Sequence, residues 1–81
     1  MRVDIRCYGP AREAAGTEVL VLEVSAPATV ADALAQLAAH SEAFATLLPR
    51  CAVAIGDDFV SRQRLLADGD EVALIPPISG G

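Results

Sequence analysis

The stretch Leu74-Ile75-Pro76-Pro77-Ile78-Ser79-Gly80-Gly81 brings together the residues best suited to chemistry at a chain end. Two glycines follow a proline pair and a short step, and the last atoms are a free carboxylate. A carboxylate is a poor acyl donor because its leaving group is oxide, so Gly81 needs activation before it can react. Gly80 and Gly81 lack Cβ atoms, which lets such a tail thread a narrow channel. Pro76 and Pro77 fix φ and stiffen the base of the tail, reducing the entropy lost on insertion. Extended, residues 76–81 span about 20 Å, enough to enter an active site on another protein. The chain has no G-x-x-x-x-G-K-[ST] phosphate loop, so the activating enzyme is expected to be a separate protein.

Other reactive side chains are few. Cys7 and Cys51 are the only thiols and His40 the only histidine. Two cysteines cannot ligate an iron–sulfur cluster or a four-cysteine zinc site without further ligands, so no metal is expected. Both are read as reduced, buried, small apolar residues. His40 falls where a helix should end and meets the dipole there. No Ser-His-Asp or Cys-His constellation is evident. All six basic residues are arginine, so an activated C-terminus finds no side-chain amine on its own chain to acylate.

The 81 residues are expected to form one domain with a modest core. The hydrophobic fraction of 53% argues against disorder, although much of it is alanine. A net charge of −5 disfavours nucleic acid as a partner. No apolar run approaches membrane-spanning length and no targeting segment is apparent, so a cytoplasmic protein that binds no membrane is expected.

The tail must be held by what precedes it. Arg2 to Tyr8 alternates, with Val3, Ile5 and Cys7 on one face and Arg2, Asp4, Arg6 and Tyr8 on the other, as in a half-buried strand. Gly9-Pro10 breaks it, and "AREAAG" forms a short helical turn closed by Gly16. Glu18 to Val24 is a second strand, making a hairpin with the first. A helix follows, with Thr29 as N-cap and Asp32 completing a capping box. Val30, Ala33, Leu34, Leu37 and Ala38 form its buried stripe. "EAFATLLP" is a shorter apolar turn ended by Pro49. "AVAIGDDFV" reads as strand, turn and strand, with Gly56 and Asp57 suited to positive φ and a short partner around Phe59 and Val60. After the turn "ADGD", Glu71 to Ile75 is the last strand, ended by Pro76-Pro77. This order predicts an α+β fold, a β-grasp roll. It has a mixed sheet of four or five strands, one main helix across one face, and the first and last strands side by side in the middle.

Residues 1–75 are thus read as the domain and 76–81 as a flexible tail. This order, "REAAG" after the first strand and the ending "LADGDEVALIPPISGG" resemble the MoaD/ThiS family of ubiquitin-like sulfur carriers, and its molybdopterin synthase small-subunit branch in particular. The likeness covers the whole chain. Its most specific part is "DGDEV" followed by an apolar pair, "PP", two residues and a terminal "GG". Leu74-Ile75 stand where members often carry two aromatics, and Gly56 where they often place Asn.

The resemblance implies the chemistry. A ubiquitin-activating-like adenylyltransferase would adenylate Gly81 with ATP, and no cofactor would be held by this chain. A sulfur donor, such as a cysteine desulfurase or rhodanese, would then displace AMP and leave a thiocarboxylate. That group would give sulfur to a cyclic pterin precursor in a pocket on the large subunit of molybdopterin synthase, within a heterotetramer. The chain would be no enzyme on its own. Three other readings are a sulfur carrier for thiamine or another product, a ubiquitin-like modifier that joins target lysines, and a plain β-grasp interaction domain.

The expected docking surface is the sheet face opposite the helix. With the first and last strands parallel neighbours, Tyr8, Ala73 and Ile75 share that face beside the tail. Tyr8 and Ile75 are expected to be exposed and close together, an apolar patch of the kind that marks a partner site. Arg12 would add a charged contact at the rim. Pro76, Pro77, Ile78 and Ser79 would line the partner's channel as Gly80 and Gly81 enter it.

Overall fold

Alternating strands and one capped helix assemble into a single layer pair. A computed structural model describes residues 1–77. Its elements are β1 (Arg2–Cys7), α1 (Pro10–Ala15), β2 (Val19–Glu23), α2 (Val30–His40), α3 (Glu42–Leu47), a 3-10 turn (Leu48–Arg50), β3 (Ala52–Ile55), β4 (Asp58–Phe59) and β5 (Glu71–Ile75). The five strands run in the order β2-β1-β5-β3-β4. β1 and β5 are parallel, in register from Asp4 opposite Glu71 to Cys7 opposite Leu74. The other pairings are antiparallel. This is the expected β-grasp roll with all five strands in one sheet.

One face of the alternation supplies the core. Val3, Ile5, Val72 and Leu74 are wholly inaccessible, and Cys7 and Val53 nearly so. They pack with Val30, Ala33, Leu34 and Leu37 of α2 and with Phe44 and Leu48 beyond it. Each fully buried Val, Leu or Ile contributes about 1.5–3 kcal/mol. Ala38 joins this stripe only at its edge, partly buried.

The start of α2 follows the sequence closely. The Asp32 amide donates to Thr29 Oγ1 at 3.2 Å, and the Thr29 amide donates to Asp32 Oδ2 at 2.8 Å. Thr29→Ala therefore removes the side-chain acceptor of the Asp32 amide and should cost about 1 kcal/mol. Urea unfolding should show a lower midpoint at unchanged slope.

Two local expectations are corrected. Pro49 does not end the apolar turn, because it sits within the 3-10 turn Leu48–Arg50. A proline is tolerated in the first positions of such a turn, where its missing N–H has no intrahelical partner to lose. In the β3–β4 connection Gly56 alone has a positive φ, of 64°, and Asp57 does not. One left-handed residue suffices to reverse the chain there.

The loop from β4 to β5 is held by contacts that no local pattern announces. Arg62 Nη2 donates to the Leu48 carbonyl at 2.6 Å and to the Cys51 carbonyl at 3.0 Å. The amides of Val30 and Ala31 donate to the Arg64 and Arg62 carbonyls, tying this loop across the start of α2. The start of β5 is held nearer by, where the Gly69 amide donates to the Arg2 carbonyl at 2.8 Å and the Asp4 amide to the Asp70 carbonyl at 2.9 Å.

Candidate functional site

β5 is the central strand, and its C-terminal end carries the chain to Pro76 and Pro77. Ile78, Ser79, Gly80 and Gly81, the residues expected to thread and react, lie outside the described residues. What can be described is the platform at the root of that segment.

The platform begins where β1 ends. Gly9 has φ 51° and ψ −124°, a conformation that residues with a Cβ rarely adopt. It turns the chain directly from β1 into α1, beside the tail root. A Cβ built on Gly9 would lie 3.6 Å from Pro76 Cγ, which places the proline against this turn. Pro76 is half-buried and Pro77 exposed.

Strand register lays out the outward face. Arg6 lies opposite Ala73, Ala73 opposite Ala54, and Ala54 opposite Phe59. In the next row Ala52 lies opposite Ile75, and Tyr8 follows Cys7, the partner of Leu74. Ala52, Ala54 and Ala73 form a flat apolar floor, with Tyr8 and Ile75 at one side and Phe59 at the other.

Tyr8 is exposed, as expected. Ile75 is not: it is half-buried. Its strand is central, so neighbours on both sides shield it, whereas a side chain at an edge would stand free. Ala73 is half-buried for the same reason.

Phe59, 73% exposed, is the large apolar residue that the sequence reading left out of the patch. Its signal was present. Val53 must point inward, so Ala54 points outward, and a tight turn at Gly56-Asp57 pairs Ala54 with Phe59 on that same outward face.

Charge on this face is self-compensated. Arg6 Nε donates to Glu71 Oε1 at 3.0 Å and Arg6 Nη2 to Glu71 Oε2 at 3.4 Å. The Glu71 carboxylate raises the Arg6 pKa above its ordinary value, with a smaller contribution from Tyr8. Arg12 lies in α1, with Nη1 3.8 Å from Glu18 Oε1 and both side chains well exposed. Such a pair contributes little to stability and leaves Arg12 available at the rim. Arg12 lines a surface depression with Arg6, Cys7, Tyr8, Gly9 and Glu18, so it does adjoin the patch.

The described residues carry no evident nucleophile for group transfer. Cys7 and Cys51 are free and buried. Burial raises the pKa of both thiols; Cys51 adds to the shift at Cys7, and Arg62 partly offsets it at Cys51. A buried neutral thiol is a poor nucleophile. No group of three or more metal-ligating side chains occurs among the described residues. No helix among them is long and apolar enough to cross a membrane.

Known proteins are similar to this chain in sequence and fold. A model of the ThiS family matches residues 5–81. The molybdopterin synthase sulfur carrier subunit of Chlamydomonas reinhardtii is 36% identical over 83 residues, covering the whole of both chains. Among solved structures, SAMP1 from Haloferax volcanii matches with a TM-score of 0.86 and 27% identity, again over both whole chains. A second structure of this small archaeal modifier protein matches with a TM-score of 0.83 and 25% identity over 95% of this chain and 98% of that one. Subunits 1 and 2 of molybdopterin-converting factor from Helicobacter pylori have been solved as a complex. A chain of that complex matches over its full length and that of this chain, with a TM-score of 0.72 and 27% identity.

Proposed function

This chain belongs to the ThiS family, and from that premise we propose that it is the sulfur-carrier subunit of a molybdopterin synthase. The observation that carries the reading is the end-to-end match to a protein of that name, at 36% identity. Residues 5–81 of the family match include the Gly80-Gly81 end, which is where the reaction would occur.

An adenylyltransferase transfers AMP from ATP to the Gly81 carboxylate and releases pyrophosphate. A sulfur nucleophile from a donor protein then attacks the acyl carbon. Where that nucleophile is the outer sulfur of the donor's persulfide, the carbon–oxygen bond breaks, AMP leaves and an acyl disulfide to the donor cysteine forms. A thiol then attacks the donor cysteine's sulfur, the sulfur–sulfur bond breaks to give a mixed disulfide there, and the thiocarboxylate is released on Gly81. Sulfur is thereby held on a protein as a soft anion and delivered to a pterin precursor in the large subunit's pocket. The Tyr8, Ile75 and Phe59 face docks on that subunit, with Arg12 at the rim, while Pro76, Pro77, Ile78 and Ser79 lead the glycines inward. The reaction belongs to the cytoplasm, and the chain supplies the reacting atom without a catalytic pocket of its own.

A modifier that forms isopeptides with target lysines is the second reading, favoured by the fold match to the small archaeal modifier protein. Intact-mass analysis separates the two. Incubation with an activating enzyme, ATP and a sulfur source should raise the mass by one sulfur for one oxygen, mapped to Gly81. Conjugates of many sizes in a lysate would favour the modifier. A sulfur found on Cys7 or Cys51 would instead make the chain a persulfide carrier, against the burial of both.

A further inference from the structure

The two edges of the sheet are treated differently. β4 is two residues long and acidic at its turn, with Asp57 and Asp58. Short, charged edges resist pairing with other strands. β2 is five residues, Val19–Glu23, and four of them are apolar.

The hydrogen-bond alternation of an antiparallel pair identifies what β2 offers to a partner. The Cys7 amide donates to the Glu18 carbonyl at 2.8 Å, and the Val24 amide to the Met1 carbonyl at 2.9 Å. Residues 18, 20, 22 and 24 therefore face β1. Val19, Val21 and Glu23 turn their amides and carbonyls to the open edge. The side chain of Gln36 confirms this orientation, because its Nε2 donates to the Glu23 carbonyl at 3.0 Å. Thr17 Oγ1 lies 3.4 Å from the Val19 carbonyl. A carbonyl has two lone pairs, so neither contact closes the edge. Val21 stands between them, 55% exposed.

We propose that β2 pairs antiparallel with β2 of a second copy, about a two-fold axis at Val21. Each Val21 amide then donates to the other Val21 carbonyl, and Val19 exchanges bonds with Glu23 of the second copy. A two-fold contact requires the surface to match only itself, and this one does. Val21 meets Val21, and Leu20 meets Leu22 of the second copy; both leucines are half-buried in the single chain. Glu23 lies opposite Val19 and Glu18 opposite Val24, so no carboxylate directly faces another. The sheet becomes continuous across both copies. The Tyr8–Ile75 faces then point to the same side, and the two tail roots leave in opposite directions, so pairing leaves both platforms open.

Sedimentation of the full chain from micromolar to near-millimolar concentration tests this, with amide NMR over the same range. A reversible dimer should appear at the upper end and strengthen with added salt, because each copy carries a net charge of −5. Concentration-dependent amide shifts should fall on Val19, Val21 and Glu23 and spare Leu20 and Leu22. Val21→Pro removes an edge amide that β1 does not use, and should weaken association at least tenfold. Val21→Lys sets two charges at the axis and should do the same. It decides the matter if the proline variant does not fold. A monomer at every concentration would overturn the proposal, as would association that both folded variants retain or shifts centred on Tyr8, Ile75 and Phe59.

Discussion

A chain lacking Gly81, or carrying one residue beyond it, will take up no sulfur and will melt at nearly the parent temperature. The loss should be complete, because the tail's length sets how far the terminal carboxylate reaches. One added or missing residue moves the terminal carboxylate by about 3.3–3.6 Å. Reacting atoms in a productive complex lie only about 3–3.5 Å apart, so the error is as large as the distance of attack itself. The stability half of the prediction follows from where burial stops. The core runs as far as Leu74, and Pro77 is already exposed. Intact mass after incubation with activating enzyme, ATP and sulfur source reports the first half, and a thermal melt reports the second. A melting temperature lowered by many degrees would make the glycine end a structural part of the domain.

The second large effect should come from the proposed docking face. Ile75→Asp places a carboxylate on the central strand, beside Ala52 and the tail root. A charge desolvated at an interface without a partner is costly. Binding to the large subunit of molybdopterin synthase should weaken about a hundredfold, or about 2.7 kcal/mol. Tyr8→Ala and Phe59→Ala each remove an exposed aromatic anchor from the same face and should cost at least tenfold. None of the three side chains belongs to the buried core, so each variant should keep its far-ultraviolet dichroism and melt cooperatively. Titration calorimetry against the large subunit reads the affinities. If all three folded variants bind like the parent, the complex forms through another surface.

Much of this platform was legible because period-two alternation is a strict rule. Once Val3, Ile5 and Cys7 are inside, Arg6 and Tyr8 are outside, and the same logic fixes Val72 and Leu74 against Ala73 and Ile75. The helix start was equally plain, since Thr29 and Asp32 meet across one turn. Alternation gives a side chain's face but not how crowded that face is. Ile75 was therefore read as exposed, although its position between two neighbours half-covers it. Arg62 shows the other limit. Its two bonds to the Leu48 and Cys51 carbonyls join residues distant in sequence through a long side chain. No periodicity marks such a contact. Phe59 fell between these cases, since its face was deducible but only by carrying register through three strands.

The central parallel pair also governs how the chain comes into being. Val3 and Ile5 can be covered on the β5 side only by a strand that begins at Glu71, and β3 also waits for β5 on its open flank. Such long-range closure gives a high contact order and slows folding. During synthesis β1, β2 and α2 leave the ribosome well before β5, and for that interval the nascent chain lacks the strand that finishes the sheet. The strand that completes the domain is the one that leads into the Gly80-Gly81 end. A polypeptide halted before that strand therefore lacks both the finished sheet and the Gly80-Gly81 end, so no chain halted in synthesis presents that end without the sheet.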